Sequence, residues 1–468
     1  MNTNKKFKNF IDKKKLYKLI QGEAPTKQQL NDILARALKL KGLGLEDVAA
    51  LLRVENHEQI YEIMEVAKKV KQEIYGKRLV IFAPLYTGNR CVNNCLYCSF
   101  RRDNKSIKRK ILDMHEIETE VKELLHEGHK RLLLICGETP ANDINYICDA
   151  IRTTYAVNLN GHSVRRINVE LAPMSIEDFQ QLKKEKIGTY VCFQETYDPD
   201  LYKIYHPNDT PKADYENRLL VMDRAMEGGI DDVGLGVLFG LADYRFEILA
   251  LMEHANHLEE AFGCGPHTIS FPRIEPAEGA PLPEQIPHKV SDDDFKKIIA
   301  IIRIALPYTG IILSTRESDE LRTELFQYGI SQISAGSRTN PGAYANETKG
   351  FKTGSQFQLG DHRNLDEVIS SMIDGGYIPS FCTGCYRKGR VGHDFMDLAK
   401  PGLIKEYCMP NAIFTFREYL NDFATPETKE KGMKLIKELV AEIGKEKLKK
   451  TIADTIDKID EGERDIYL

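Results

Sequence analysis

The spacing of hydrophobic residues changes its rhythm near residue 79. From about Thr26 to Arg78 they recur at helical intervals, as in LNDILARALKL and EQIYEIMEVAKKVKQEIY, with the turn GLGLED between. This predicts a helical N-terminal extension over residues 1–78. From Leu79 onward, short apolar runs alternate with longer amphipathic ones. The strand candidates are LVIFAPLY, RLLLICGE, INVELAP, TYVCFQET, DVGLGVLFG, HTISFP, GIILST and ISQISAG, each separated from the next by a segment of helical period. Eight βα units over roughly 250 residues predict an α/β fold, a (β/α)8 TIM barrel spanning residues 79–342. A doubly wound open sheet is the alternative.

Past Gly342 the alternation ends. The polar stretch NETKGFKTGSQFQLGDHRN leads to a helix near Leu365–Asp374, then to FCTGCYRKGRVGHDFMDLAKPGLIKEYCMP and a charged helix pair at the end. Residues 343–468 are therefore expected to form a mostly helical C-terminal domain. In a barrel the chemistry sits on loops at the C-terminal ends of the strands. The long proline-rich segment PRIEPAEGAPLPEQIPHKVSD after the sixth strand is a candidate lid over that mouth.

Cysteines change the picture more than composition does. Cys91, Cys95 and Cys98 follow the first strand in YTGNRCVNNCLYCSF. Three thiolates on one loop can hold three irons of a cubane [4Fe–4S] cluster and leave the fourth iron open to a reactant. A structural zinc, the alternative, wants four ligands. Cys382 and Cys385 form a CxxC, and Cys408 follows twenty-two residues later. With His393 they also compose a Cys3His zinc set. Cys136, Cys148, Cys192 and Cys264 fall in apolar runs and read as small buried hydrophobes. Ten cysteines in a charged chain without a signal peptide or membrane span point to metal ligation in the cytoplasm. With 65 basic and 70 acidic residues intermixed, nothing suggests nucleic acid as a partner.

The cysteine loop, the strand count and several strand ends together resemble the radical S-adenosylmethionine (SAM) superfamily. The resemblance implies that the open iron chelates SAM, and Tyr97 is the aromatic residue before the third cysteine. Gly137, Glu138 and Thr139 resemble its GGE-type motif, with Cys136 in place of the first glycine. Glu170 at the end of the third strand is the implied ribose contact, although an ordinary barrel-layer acid fits that position as well. Arg218, in DYENRLLVMD, is the implied partner of the SAM carboxylate. Gly236, with Gly240, resembles the adenine-side motif.

Two features resemble the aromatic amino acid lyases within that superfamily. The first is CFQETY, with Gln194, Glu195 and Tyr197. The second pairs STRES with ISAGSRTNPG, bringing Arg316, Ser318, Ser334 and Ser337 to the mouth, where they are expected to clamp an α-carboxylate. A local ion pair of Arg316 with Glu317, Asp319 or Glu320 is the alternative. Cys382, Cys385 and Cys408 resemble the second cluster of the [FeFe]-hydrogenase maturase family HydG. The thiazole-pathway tyrosine lyases, ThiH, share the barrel motifs without this trio. The resemblance also implies that His267 ligates a labile iron beside the second cluster, whereas a lone histidine next to a strand is ordinarily a hydrogen-bonded core residue.

The implied activity is cleavage of the Cα–Cβ bond of L-tyrosine to p-cresol and dehydroglycine, then formation of carbon monoxide and cyanide on iron for H-cluster assembly. The implied cofactors are two iron–sulfur clusters, the second a [4Fe–4S] cluster with an additional labile iron, and SAM. The implied partners are other hydrogenase maturation proteins and an electron donor such as ferredoxin or flavodoxin. A lyase that only releases dehydroglycine and a non-enzymatic iron–sulfur scaffold are the rival readings.

Overall fold

The computed structural model describes residues 8–346, 354–400 and 405–468. Part of the polar connection after Gly342 and part of the second cysteine segment lie outside the described residues. Eight parallel strands form where the apolar runs predict them: β1 Arg78–Gly88, β2 Arg131–Cys136, β3 Arg166–Glu170, β4 Thr189–Glu195, β5 Asp232–Val237, β6 Thr268–Ser270, β7 Gly310–Leu313 and β8 Gln332–Ser334. They pair in chain order, and β8 closes on β1 with Val80 opposite Gln332 and Phe82 opposite Ser334. The fold is a closed (β/α)8 barrel, not an open sheet. Helices including Met114–His126, Ile144–Ala156, Tyr244–Phe262 and Asp292–Ala305 surround it. Several start at capping boxes, such as Asp113 with Glu116 and Ser175 with Asp178.

Of the N-terminal helices, Lys13–Ile20, Leu45–Leu52 and His57–Tyr75 pack on the barrel's outer helices, and Lys27–Ala37 packs on the last two of these. Leu45–Leu52 begins inside the segment expected to be a turn. Gly44 is its N-cap, and Glu46 and Asp47 in its first turn suit the positive end of the helix dipole. A ninth strand, β9 Ile378–Ser380, comes from the C-terminal region. It runs parallel to the first residues of β1 on the edge opposite β8, because Val80 pairs with both Gln332 and Ser380. The C-terminal helix Lys405–Asp422 packs beside it, and Pro426–Glu442 and Glu446–Asp460 pack on that helix. Among the described residues no helix is long and apolar enough to cross a membrane.

Strand alternation separates two environments. Outward positions such as Ile81, Leu85, Leu134, Val169, Leu235, Ile311 and Ile333 belong to one continuous hydrophobic core shared with the helices. Inward positions are different. Below Phe82, Leu133 and Ile312, which line the upper cavity, the inward side chains of the strands include Arg78, Arg131, Arg166, Asn168, Thr189, Asp232, Thr268 and Gln332, with Gly234 and Gly310 among them. Barrels of this class usually fill these layers with bulky branched residues. Here they are mostly polar or small.

Arg303 shows how the outer layer holds polar groups. It is fully buried, and its guanidinium donates to the carbonyls of Gly329, Pro307 and Thr309 at 2.7–3.0 Å. Those carbonyls belong to the turns that lead into β7 and β8. Arg303→Met would leave them buried and unpaired. Urea denaturation is expected to show a loss of about 3 kcal/mol, and a loss below about 1 kcal/mol would refute this account of the turns.

Candidate active site

At the C-terminal ends of the strands lies a cavity of about 850 Å³, counted out to its opening. Of the residues singled out in the sequence, Tyr97, Cys98, Glu170, Glu195, Arg316, Ser334 and Ser337 line it. The cysteine loop is its wall. Arg109 fastens this loop by donating to the carbonyls of Asn89, Phe100, Arg101 and Asn104. Cys95 is buried, while Cys91 and Cys98 are partly exposed. The Cys98 thiol is pushed up to about 12 by burial and then by the neighbouring charges of Cys95 and Cys91, so the three sulfurs share one locale.

The end of β2 touches the loop directly. A Cβ on Gly137 would lie 2.3 Å from the Arg90 carbonyl oxygen, so only glycine fits there. The Glu138 carbonyl accepts from the Val92 N–H at 2.8 Å, and its carboxylate accepts from Asn93. The Gly137 carbonyl accepts from Asn142, and the Thr139 carbonyl from the Asn142 N–H. The Glu138 carbonyl thus helps to hold the cysteine loop, while those of Gly137 and Thr139 hold the turn after β2. Gly236 makes room for the Phe193 ring, which a Cβ would meet at 2.4 Å. Gly240, at φ +115°, lies against Ile274 and Ile286 of the proline-rich segment. That segment folds over the loop, with Leu282 N–H donating to the Leu96 carbonyl and Ser99 Oγ to the Glu278 carbonyl.

Charge is concentrated on one wall. Lys212 Nζ is 2.6 Å from Glu195 Oε1, and Arg218 Nε donates to the Phe193 carbonyl. Burial raises the Glu195 pKa, but Lys212 and Arg218 outweigh it and hold the carboxyl below its ordinary value. Glu195 has φ +72°, a strained left-handed backbone for a non-glycine residue. Glu170 goes the other way. Burial and then the charge of Glu195 raise it to about 7, against Arg316, Lys212 and Arg218. Arg316 lies 3.5 Å from the centre of the Phe357 ring, and its Nε is buried without a partner. Its neighbour Glu317 pairs instead with Arg273. Ser337 Oγ is also buried without a partner, whereas Ser334 Oγ accepts from the Thr315 N–H.

Three expected mouth residues lie elsewhere. Ser318 is exposed and caps the helix Asp319–Leu325 by accepting from the Leu321 N–H. Gln194 alternates away from Phe193 and Glu195, which line the cavity, and is buried on the helix side. Tyr197 is fully buried against His254. Sequence reasoning missed Tyr86, Phe193, Lys212, Gln356 and Phe357. Continuing the inward alternation of Phe82 and Pro84 leads to Tyr86. No periodic signal marks Gln356 and Phe357, which follow the undescribed residues 347–353. Gln356 accepts from Tyr86 Oη at 2.7 Å and reaches Cys98 Sγ at 3.8 Å, so this segment caps the cavity.

The second cysteine trio gathers at the opposite end. Burial pushes the Cys385 thiol up to about 12, followed by the charges of Cys408 and Cys382. The Arg78 guanidinium is buried, and the same three cysteines support its charge. Arg131 Nη1 donates to the Cys382 carbonyl at 2.7 Å. His267 stands before β6, with Nε2 2.9 Å from Tyr386 Oη, next to Cys385 in the chain. Burial lowers its pKa although Asp232 opposes this, with Arg166 and Arg131 lowering it further. His393 is exposed and pairs with Asp397 at 3.2 Å. Among the described residues no three His, Cys, Asp or Glu side chains close on one point as the ligands of a single ion do. Three thiols per locale form a donor set that suits a polynuclear cluster.

The Radical SAM superfamily pattern matches residues 85–255, and the Biotin and Thiamin Synthesis associated domain matches residues 270–378. A curated relative from Salmonella typhimurium, 2-iminoacetate synthase, is 31% identical over 350 residues, covering 74% of this chain and 88% of that protein. A crystal structure of HydG, a maturase of the [FeFe]-hydrogenase, is 47% identical, covers 98% of this chain and 100% of its own, and superposes with a TM-score of 0.94. The chain belongs to the HydG family. HydG from Carboxydothermus hydrogenoformans is 40% identical over 95% of this chain and 97% of its own, with a TM-score of 0.83. The protein is thus a radical SAM enzyme of the hydrogenase-maturase type, and its family implies a [4Fe–4S] cluster and SAM. The cysteine loop of this HydG-family chain fits that cluster by its donor chemistry.

Glu170 provides a test that needs no cofactor. Its folded pKa of about 7 exceeds the ordinary 4.5, so the folded state binds this proton more tightly. The resulting stability is present below pH 4.5 and lost as pH rises through about 7. Glu170→Gln keeps a neutral group at every pH. Relative to wild type, this variant is expected to gain on the order of 2 kcal/mol between pH 5 and pH 8 in chemical denaturation. An equal difference at both pH values would show that Glu170 is not held this way.

Proposed function

We propose that this protein is a tyrosine lyase of hydrogenase maturation. It cleaves the Cα–Cβ bond of L-tyrosine to p-cresol and dehydroglycine at the barrel mouth. It then converts the second fragment to carbon monoxide and cyanide on iron at the opposite end, for H-cluster assembly. The observation that carries this reading is the pair of cysteine trios at the two ends of one barrel whose interior is mostly polar or small. When bound, the mouth cluster and SAM supply a 5′-deoxyadenosyl radical, which is able to take a hydrogen atom from the amino group of tyrosine.

The chain's own residues bind, orient and exclude water. Cys91, Cys95 and Cys98 hold the mouth cluster, with Tyr97 beside them. Gly137, Glu138, Thr139, Glu170, Arg218 and Gly236 form the SAM-facing wall. Arg316 and Ser337, both with buried donors awaiting a partner, take the substrate carboxylate, and Ser334 supports them. Glu195 and Lys212, beside Arg218, set the charge of that wall. Gln356 and Phe357 shut the mouth from water, which strengthens the electrostatics inside. Below, Cys382, Cys385 and Cys408 hold the second cluster, and His267 is the ligand to its labile iron. Between the two ends, the strands carry Asn168, Thr189, Gly234 and Thr268 where barrels of this class usually carry bulky branched residues. The relative named 2-iminoacetate synthase supports the mouth chemistry.

Ten free thiols suit the reducing cytoplasm. There the other hydrogenase maturation proteins take the product, and ferredoxin or flavodoxin supplies electrons. Reconstituted protein with SAM, dithionite and tyrosine is expected to yield p-cresol, carbon monoxide and cyanide. Cys382→Ser is expected to keep p-cresol and lose carbon monoxide. Zinc at the second trio of the purified protein, with no cyanide formed, would favour the lyase that only releases dehydroglycine. Failure to cleave tyrosine at all would favour a scaffold.

Arg316→Lys preserves the charge but loses the fork and the flat face against Phe357. It is expected to raise KM for tyrosine about 30-fold, equivalent to about 2 kcal/mol. An unchanged KM would remove Arg316 from the carboxylate site.

A further inference from the structure

The cysteine loop has an outer face that the mouth chemistry does not use. Between Arg90 and Lys110 stand seven basic residues and one acidic residue, in a chain whose net charge is −5. The fold gathers them. Asn89 pairs through its backbone and side chain with Lys108 and Lys110, so Arg90 lies beside that stretch. Arg102 N–H donates to the Asn93 carbonyl, Arg101 Nε to Asn94, and Lys105 Nζ to the Arg102 carbonyl. Arg90, Lys105 and Lys108 are exposed. Asp103 and Asp209 pair with Arg102, and Glu116 with Lys110, so basic residues outnumber acidic ones on the segment that carries Cys91, Cys95 and Cys98.

Among the described residues, the cavity side of the trio is covered. Gln356 and Phe357 cap the cavity, the Ser99 N–H donates to the Gln356 carbonyl, and the proline-rich segment is bonded to Leu96 and Ser99. The basic face lies on the other side of the loop from that cover. The four carbonyl contacts of Arg109 hold that face in one conformation. A preorganised face reduces the ordering cost of docking.

We propose that the outer face of residues 89–110 is the docking surface for an acidic one-electron carrier protein. The proposal rests on the reading that Cys91, Cys95 and Cys98 hold a redox-active cluster. Opposite charges would steer the encounter and set its orientation, and salt would screen them.

The experiment uses the reconstituted full chain and photoreduced flavodoxin. One readout is bleaching of the cluster's visible absorption, and the other is calorimetric binding of the oxidised proteins. The combined variant Arg90→Glu, Lys105→Glu and Lys108→Glu is expected to be reduced by flavodoxin at least about tenfold more slowly at low ionic strength. Its binding should weaken in parallel, and added salt should narrow the gap. Dithionite should bleach both proteins at the same rate. A control with the same net charge, Lys434→Glu, Lys437→Glu and Lys450→Glu on the distant C-terminal helices, should behave as wild type. Equal flavodoxin rates for wild type and the loop variant would overturn the docking surface, as would equal slowing of the control. A wild-type protein with no dithionite-bleachable absorption would instead overturn the cluster reading beneath it.

Discussion

The structure depends on the two-residue alternation of strands closed into a parallel barrel. Once β8 pairs with β1, every second side chain faces the axis and the others face the helices. The outer set is apolar without interruption on β1, where Leu79, Ile81, Ala83 and Leu85 all enter the main core. Burial of that surface, at about 25 cal/mol per Å², supplies the fold's cohesion. The axis is thereby relieved of the need to be hydrophobic. It holds arginines, amides and hydroxyls, several of which, including Arg131 Nε, Arg166 Nε, Thr189 Oγ1 and Asp232 Oδ2, are buried without protein partners. Such groups are tolerated where other interactions hold the fold.

Register also determines what stands at each end. β9 pairs with the start of β1, so Cys382, two residues beyond Ser380, is delivered to the N-terminal end of the strands. The loop after β1 carries Cys91 to the other end. One strand thus indexes both trios, and Arg78 at its foot lies among the second set. The basic side chains at the foot would offset the negative charge of thiolates ligating a cluster in that buried place.

Much of this was legible in the sequence because the signals were local. The eight apolar runs are short, bounded by turn residues and separated by helical periods, and each became a strand. Arg316, Ser334 and Ser337 were legible because strand ends at a barrel mouth converge. Ser318 was misread because a serine before an acidic helix start serves equally well as an N-cap. Gln194 was misread because adjacency along a strand is not adjacency in space. The GLGLED turn concealed a helix start, as its acidic pair serves a helix dipole as well as a loop. Lys212 and Phe357 were illegible for a different reason. Neither sits on a periodic element, and each reaches the mouth only through long-range packing.

The charge pattern of the mouth follows from its confinement. Glu170 and Glu195 repel each other in a buried space with Lys212, Arg218 and Arg316, and their environments drive them apart. Glu195 sits against Lys212 and stays ionised. Glu170, more distant from a fixed partner, moves towards neutrality. The same wall therefore presents one constant anion and one group whose charge responds to its surroundings. A ligand bringing a cation near Glu170 would draw its proton off, whereas one bringing a carboxylate is directed to Arg316 by the unpaired Nε. Anion and cation partners are thus held apart within one mouth.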